Sequence, residues 1–294
     1  GAMLIPNDKG TAPGLRLRIG GCWVFALPGV PEEMLPMVDA HVVPFLVAEA
    51  GAGAGVIVSR ILRTWGESES RIAEVLGDLY EVHTNPTLAF LASGGEIKLR
   101  LTARAATSVE AETLIVPVEQ EIRRRLGRLV FGADSDTIER IVLALCLERG
   151  WTVATAESVT GGLISAALTG VPGSSKVVRG AVVAYAAEAK VGVLGVDRGI
   201  LDQFGVVSEE TALAMASGVR RVLSANVGVA ITGSAGPELL EQPAGTMVLA
   251  VATPDGAQAR TLRMPGDRER IRTYATTAAL HHTRLAITGE WWSR

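Results

Sequence analysis

Lysine is scarce in this chain. Of 28 basic residues only four are lysine (Lys9, Lys98, Lys176 and Lys190), and all the others are arginine. Arginine keeps its proton near neutral pH, so a proton-accepting amine has to be one of those four. Cysteine is rarer still. Cys22 and Cys146 both sit in apolar surroundings, which excludes a disulfide scaffold and reads as a reduced, cytoplasmic protein. Among the four histidines, His41 and His83 lie far from the later motifs, and His281 and His282 are neighbours deep in one helix, facing different ways. No Cys/His cluster has metal-ligand spacing, and a Ser-His-Asp arrangement is not suggested. The expectation is therefore no metal and no cofactor. No apolar run approaches the roughly 20 residues of a membrane span, and no secretory signal is visible. A net charge of −3 gives no electrostatic case for a nucleic-acid or anionic-membrane partner.

What is present is apolar bulk: 294 residues at 48% hydrophobic content can bury more than one core. Residues 1–3, Gly-Ala-Met, read as an expression scar and are set aside. Residues 4–50 then give a turn-rich loop, a hairpin of Leu15–Ile19 and Trp23–Leu27 around Gly20-Gly21, and a proline-initiated helix. So short a set cannot close a core alone, and it reads as the end of a larger domain. Its apolar side chains (Trp23, Phe25, Leu35, Val42) then need cover from another domain or a second subunit.

GAGAG at 51–55 reads as a flexible joint, and residues 51–133 as a small α+β domain ordered β-α-β-β-α. Its last helix closes with Arg123, Arg124 and Arg125, which suit a helix C-terminus and a solvated face; nucleic-acid contact is the alternative. From 134 to the end, helices alternate with strands and one hairpin, predicting a three-layer α/β/α domain with a mixed sheet. Helix caps are expected at Ser208 and Asp267.

The chemistry concentrates in 151–190, WTVATAESVTGGLISAALTGVPGSSKVVRGAVVAYAAEAK. A strand from Trp151 to Ala156 meets a small-residue turn and then a helix, an arrangement that points backbone N–H groups at an anion and lifts Ser158 above a sheet edge. A second strand ends at Tyr185, and Lys190 follows five residues later. These three could make an activated serine without histidine, with a desolvated Lys190 as base and Tyr185 relaying the proton. Amides around Thr160–Gly162, or of Gly233–Gly236, are candidate oxyanion donors. The bland alternatives are a helix-capping Ser158, a packed strand-end Tyr185 and a solvated Lys190. Two glycine-rich turns at a sheet edge also describe a plain nucleotide-binding module.

TAESVTGG, PGSS, RGAVVAYAAEAK, VVSEE, ITGSAGP, PAGT and PGDRE, in this order and spacing, resemble the C-terminal domain of the CinA family. NPTLAFLASGGEIKLRLTARA resembles that family's KH-like middle domain, and GTAPG with LPGVPEEM the end of its N-terminal molybdopterin-binding-like domain. The resemblance implies an amidohydrolase converting nicotinamide mononucleotide and water to nicotinic acid mononucleotide and ammonia, working as a homodimer. It carries the catalytic roles onto Ser158, Tyr185 and Lys190. Thr160, Gly161, Gly162, Ser174, Ser175, Thr232, Gly233 and Arg268 become substrate-binding positions. The chain departs from the pattern at Val159 (usually cysteine), at Ala187 (usually asparagine) and over 238–242, which is shorter and places Gln242 where the family has lysine. An alternative is thus a pyridine-nucleotide-binding CinA-like protein whose deamidase site has decayed.

Overall fold

The computed structural model describes residues 1–51, 55–82, 84–236 and 242–291. The chain packs as two compact units, one of residues 1–58 with 103–114, the other of 59–102 with 115–294.

In the first unit, β1 (Met3–Ile5), β2 (Gly14–Ile19) and β3 (Cys22–Ala26) form an antiparallel sheet in chain order. β1 begins inside the tripeptide set aside from the sequence, because Met3 pairs with Arg16 of β2. Then come α1 (Pro31–Met37), a π-helical turn at Val38–Val42 and α2 (Val43–Ala50). A small core of Ile5, Met37 and Val42, backed by Phe25 and Leu27, closes within this segment. Trp23 meets Phe45 edge-on, ring centroids 4.8 Å apart. Phe25 and Val42 thus find cover locally, whereas Leu35 stays exposed. The joint proposed at 51–55 lies largely outside the described residues.

The small α+β domain comprises β4 (Val56–Thr64), α3 (Glu69–Val82), β5 (Thr87–Ser93), β6 (Glu96–Ala105), α4 (Ser108–Leu126) and β7 (Val130–Ala133). Its sheet runs β5-β6-β4-β7. The fourth strand is an addition to the sequence reading. It is only four residues long and is defined by its pairing with β4 (Leu62 with Ala133, Arg63 with Gly132), a non-local signal. The arginine run that ends α4 is neutralised on the spot: Arg123 pairs with Glu119, Arg124 with Glu121, and Arg125 with both Glu121 and Asp78.

The large domain is the expected three-layer sandwich. It holds α5 (Ile138–Glu148), β8 (Val153–Glu157), α6 (Leu163–Thr169), β9 (Val178–Val183), α7 (Ala187–Gly192), α8 (Arg198–Phe204) and α9 (Glu209–Val222). β10 (Val227–Ser234), β11 (Thr246–Thr253), β12 (Gly256–Arg263) and α10 (Arg268–Thr288) complete it. The sheet order is β12-β11-β10-β8-β9. β8 lies parallel to both β9 and β10, and the β11–β12 hairpin returns antiparallel.

The strands sort their side chains by size. Val227, Val229, Ile231, Met247, Leu249 and Val251 face the layer of α5, α6 and α10. On the other face Ala154, Ala156, Ala230, Ala250 and Ala252 let α9 lie close to the sheet. Contact is tightest at Gly228, where an added Cβ would collide with the Ala216 carbonyl of α9. Thr137, Ser208 and Asp267 accept hydrogen bonds from Arg140, Thr211 and Arg270 N–H groups, so each helix begins where a capping side chain stands.

His281 and His282 of α10 are both buried. His281 stacks on Trp65 with centroids 4.4 Å apart, and its Nε2 lies 3.0 Å from Glu96 Oε1. Burial drives the His281 imidazole down to about 2 and pushes the Glu96 carboxyl up, so the ring is neutral. Both histidines are core residues.

Candidate active site

Three parallel strands end together, and that shared edge is where an open α/β sheet presents functional groups. β8 delivers Ser158, β9 delivers Ala184 and Tyr185, and β10 delivers Thr232 and Gly233. The Ser158 N–H donates to the Ile231 carbonyl at 3.0 Å, continuing the ladder for one residue past β8. The chain must then turn abruptly into α6. It does so through Gly161 (φ 62°) and Gly162 (φ 102°), left-handed conformations that favour glycine.

Glu157, fully buried, holds this turn. One carboxylate oxygen accepts from Thr155 Oγ1 (3.0 Å) and Ser165 N–H (2.8 Å). The other accepts from Thr160 Oγ1 (2.7 Å), Gly162 N–H (2.9 Å) and Ile164 N–H (3.0 Å). The first-turn amides of α6 are therefore satisfied inside the protein. This corrects the expected role of Thr160–Gly162: the Gly162 amide and the Thr160 hydroxyl face Glu157, not a ligand. From the opposite side Arg272 of α10 donates to the Val159 carbonyl at 3.1 Å and the Thr160 carbonyl at 2.7 Å.

Lys190 projects from α7 and is 1% exposed. Its Nζ lies 2.8 Å from the Ala184 carbonyl, 3.1 Å from Ser158 Oγ and 3.3 Å from the Tyr185 carbonyl. Burial lowers its pKa to about 8. When the amine is neutral, its two N–H bonds suit the two carbonyls, which leaves the lone pair for the serine hydroxyl.

Tyr185 differs from expectation. Its backbone carbonyl, not its hydroxyl, meets Lys190, while the side chain is exposed. The phenol oxygen instead accepts from Arg268 Nη2 at 3.1 Å, and Arg268 Nη1 reaches the Gly236 carbonyl at 3.4 Å. At a strand end the carbonyl can turn inwards while the side chain turns out, so a tyrosine hydroxyl relay between Lys190 and Ser158 is not the arrangement found.

Ser158, Tyr185, Lys190, Thr232, Gly233 and Arg268 line one cavity of about 650 Å³, walled otherwise by Val159, Ala187, Val206, Val207, Ala235 and Gly236. The Thr232 hydroxyl donates to the Val206 carbonyl at 2.8 Å, fixing that wall. Thr160, Gly161, Gly162, Ser174 and Ser175 do not line the cavity. Ser174 opens a short 3₁₀ turn and its hydroxyl donates to the Thr169 carbonyl at 3.4 Å, at the C-terminal end of α6. Of the 238–242 segment only Gln242 is among the described residues. Sequence reading missed Glu157 and Arg272. The available signals were an acid directly before a glycine turn that opens a helix, and an arginine one helical turn beyond Arg268.

The model of the CinA C-terminal domain matches residues 135–287, and that of the damage-inducible protein CinA KH domain matches 59–132. A CinA-like protein of Frankia casuarinae is 50% identical over 98% of this chain and 67% of its own length. The chain belongs to the CinA family. A CinA-like protein of Dictyoglomus turgidum is 44% identical over 98% of this chain and 70% of its own. The crystal structure of competence damage-inducible protein A from Klebsiella pneumoniae superposes with a TM-score of 0.50 at 31% identity, covering 51% of this chain and 95% of that one. In this CinA chain Val159 is buried beside the serine, and Ala187 offers the cavity a methyl group where the family resemblance leads one to expect an amide.

Proposed function

We propose that this CinA protein is a serine amidohydrolase that converts nicotinamide mononucleotide and water to nicotinic acid mononucleotide and ammonia. The observation carrying the proposal is Lys190 Nζ at 3.1 Å from Ser158 Oγ, buried and held by two carbonyls. A buried amine with a depressed pKa is the base a serine nucleophile needs when no histidine is at hand.

Lys190 takes the Ser158 proton as Oγ attacks the carboxamide carbon. The ammonium then gives that proton to the departing nitrogen, and ammonia leaves an acyl-serine. Water attacks the acyl carbon, Lys190 accepts its proton and returns it to Ser158, and the carboxylate product is released. Since Gly162, Ile164 and Ser165 amides are engaged by Glu157, oxyanion donors come from elsewhere in the wall, with the Val159 and Gly233–Gly236 amides as candidates. The apolar side chains of Val159, Val206 and Val207 suit a pyridine ring, and Arg268 at the mouth suits its phosphate. Tyr185 serves by placing Arg268 and by lending its carbonyl to Lys190.

Ala187 favours a second reading, a binder without turnover, because alanine supplies neither donor nor acceptor to an amide substrate. Ammonia release from nicotinamide mononucleotide by wild type and by Ser158→Ala decides between them. The serine mechanism expects turnover to fall by about 10⁴-fold or more, with affinity for the nucleotide kept within a few-fold. Equal turnover in both proteins refutes the nucleophile. Binding without turnover in either supports the binder.

A further inference from the structure

A second cavity, of about 940 Å³, lies between the small α+β domain and the β12–α10 corner of the large domain. Its lining is unusually cationic. Arg128, Arg260, Arg263, Arg270 and Arg284 face two carboxylates, Glu67 and Glu290. Several of these arginines spend hydrogen bonds on uncharged partners. Arg263 Nη1 donates to Thr246 Oγ1 at 2.6 Å, and Arg270 donates to the Tyr274 phenol from Nε at 3.0 Å and Nη2 at 2.9 Å.

Arg284, 7% exposed, donates to the Arg128 carbonyl at 3.3 Å and lies 3.8 Å from Glu290. Among the described residues its Nε is buried without an acceptor. Burial depresses its pKa, the Glu290 charge opposes that shift and the Arg128 charge adds to it, so the two guanidinium groups repel each other and an anion would relieve them. Arg123, Arg124 and Arg125 on the surface of the same unit differ in degree: they meet acids at 2.9, 2.6 and 2.7 Å, whereas Arg284 meets Glu290 only at 3.8 Å.

The cavity also carries aromatic surface. Trp65 lines it, as does Tyr274, over whose ring the Arg270 guanidinium lies 5.1 Å from the centroid. Planar rings beside several guanidinium groups, in a concavity sized for a small molecule, match a flat heterocycle carrying phosphate. A nucleic-acid strand would need a basic track, and a net charge of −3 with Arg123, Arg124 and Arg125 all paired to acids supplies none, which favours a free nucleotide.

We propose that this cavity binds a nucleotide, its base against Trp65 and Tyr274 and its phosphates on Arg260, Arg263 and Arg270. The site is separate from the Ser158 cavity and stands whether or not the amide chemistry does.

The test is calorimetric titration of the full chain with ADP, adenosine and inorganic pyrophosphate, on wild type, Arg263→Gln/Arg270→Gln and Arg268→Gln. The three arginines exchanged are exposed, so the fold should persist, and a thermal melt checks this; Tyr274→Leu provides an independent variant. Saturable ADP binding is expected, weakened at least about tenfold in the double variant and in Tyr274→Leu, and unchanged in Arg268→Gln. Adenosine and pyrophosphate should each bind at least about tenfold more weakly than ADP. Lack of ADP binding to wild type overturns the proposal. So does binding indifferent to the double variant, or binding lost in Arg268→Gln alone, which would move the ligand to the Ser158 cavity. Pyrophosphate binding as tightly as ADP would overturn the aromatic half and with it the nucleotide.

Discussion

Glu157 and Lys190 are both buried at the same sheet edge, one at the end of β8 and the other in the short helix beyond β9. Their surroundings differ in kind. The carboxylate receives five hydrogen bonds, three of them from backbone amides of the turn and helix it holds. Among the described residues the amine has three hydrogen-bond partners, two of them carbonyls that cannot give a proton and the third a hydroxyl that can. A buried charge whose lone pairs are answered on every side fixes a backbone. A buried charge facing one exchangeable proton can do chemistry. Burial alone therefore does not mark the reactive residue; what the group faces does.

The largest expected break in that comparison is Lys190→Arg. It keeps a positive charge but removes the neutral form, so turnover should fall by about 10²–10⁴-fold. Near-wild-type ammonia release would reduce Lys190 to a structural charge like Glu157.

Glu157→Gln attacks the other side. An amide presents one acceptor oxygen where two stood, so at least one of the donors it answered goes unmet. Unfolding free energy in a urea titration should drop by about 2–4 kcal/mol. An unchanged midpoint would show that water replaces the carboxylate without loss.

The pH dependence sharpens the lysine side. Burial lowers the Lys190 pKa from its ordinary value to about 8. Below about pH 8 the group is protonated in both folded and unfolded states, and the cost of burying the charge is fully present. Between about 8 and the ordinary lysine value the unfolded chain binds more protons, so stability from this group rises with pH. The reactive fraction rises in the same direction. Turnover at low substrate should climb roughly tenfold per pH unit below about 8 and level off above it. A profile flat across the range from mildly acidic to mildly alkaline would rule out Lys190 as the base.

The smallest effect is expected from Tyr185→Phe, which removes only the phenol that Arg268 reaches. KM should rise a few-fold while kcat stays nearly unchanged. If kcat instead dropped by about a hundredfold or more, the proton relay that the geometry argues against would be restored.

Much of the architecture could be read from the chain, because capping residues and alternating apolar positions are local signals. Ser208 and Asp267 announce their helices, and the Ser158–Lys190 pair follows from β8 and β9 being parallel neighbours, which brings two positions far apart in sequence to one edge. Elements defined by their partners were harder to read. β7 and β1 are too short to show a period, and each exists because a longer strand pairs with it. The site was legible in its nucleophile and base but not in its orientation. Whether Tyr185 offers carbonyl or hydroxyl is decided by side-chain direction at a strand end, and Ser174 and Ser175 look like binding residues until they are found past the C-terminal end of α6, outside the cavity lining.

The closing helix α10 gives these local arrangements a mechanical link. No proline or glycine interrupts it, so it is a stiff beam. Arg268 at one end touches Tyr185, and His281 toward the other end touches Glu96 and Trp65, about 20 Å away along the axis. Arg272 and Tyr274 sit between, one clasping the serine turn and the other facing the arginine-lined cavity. Any tilt or slide of the beam therefore displaces the mouth of one cavity and the wall of the other in a single stroke.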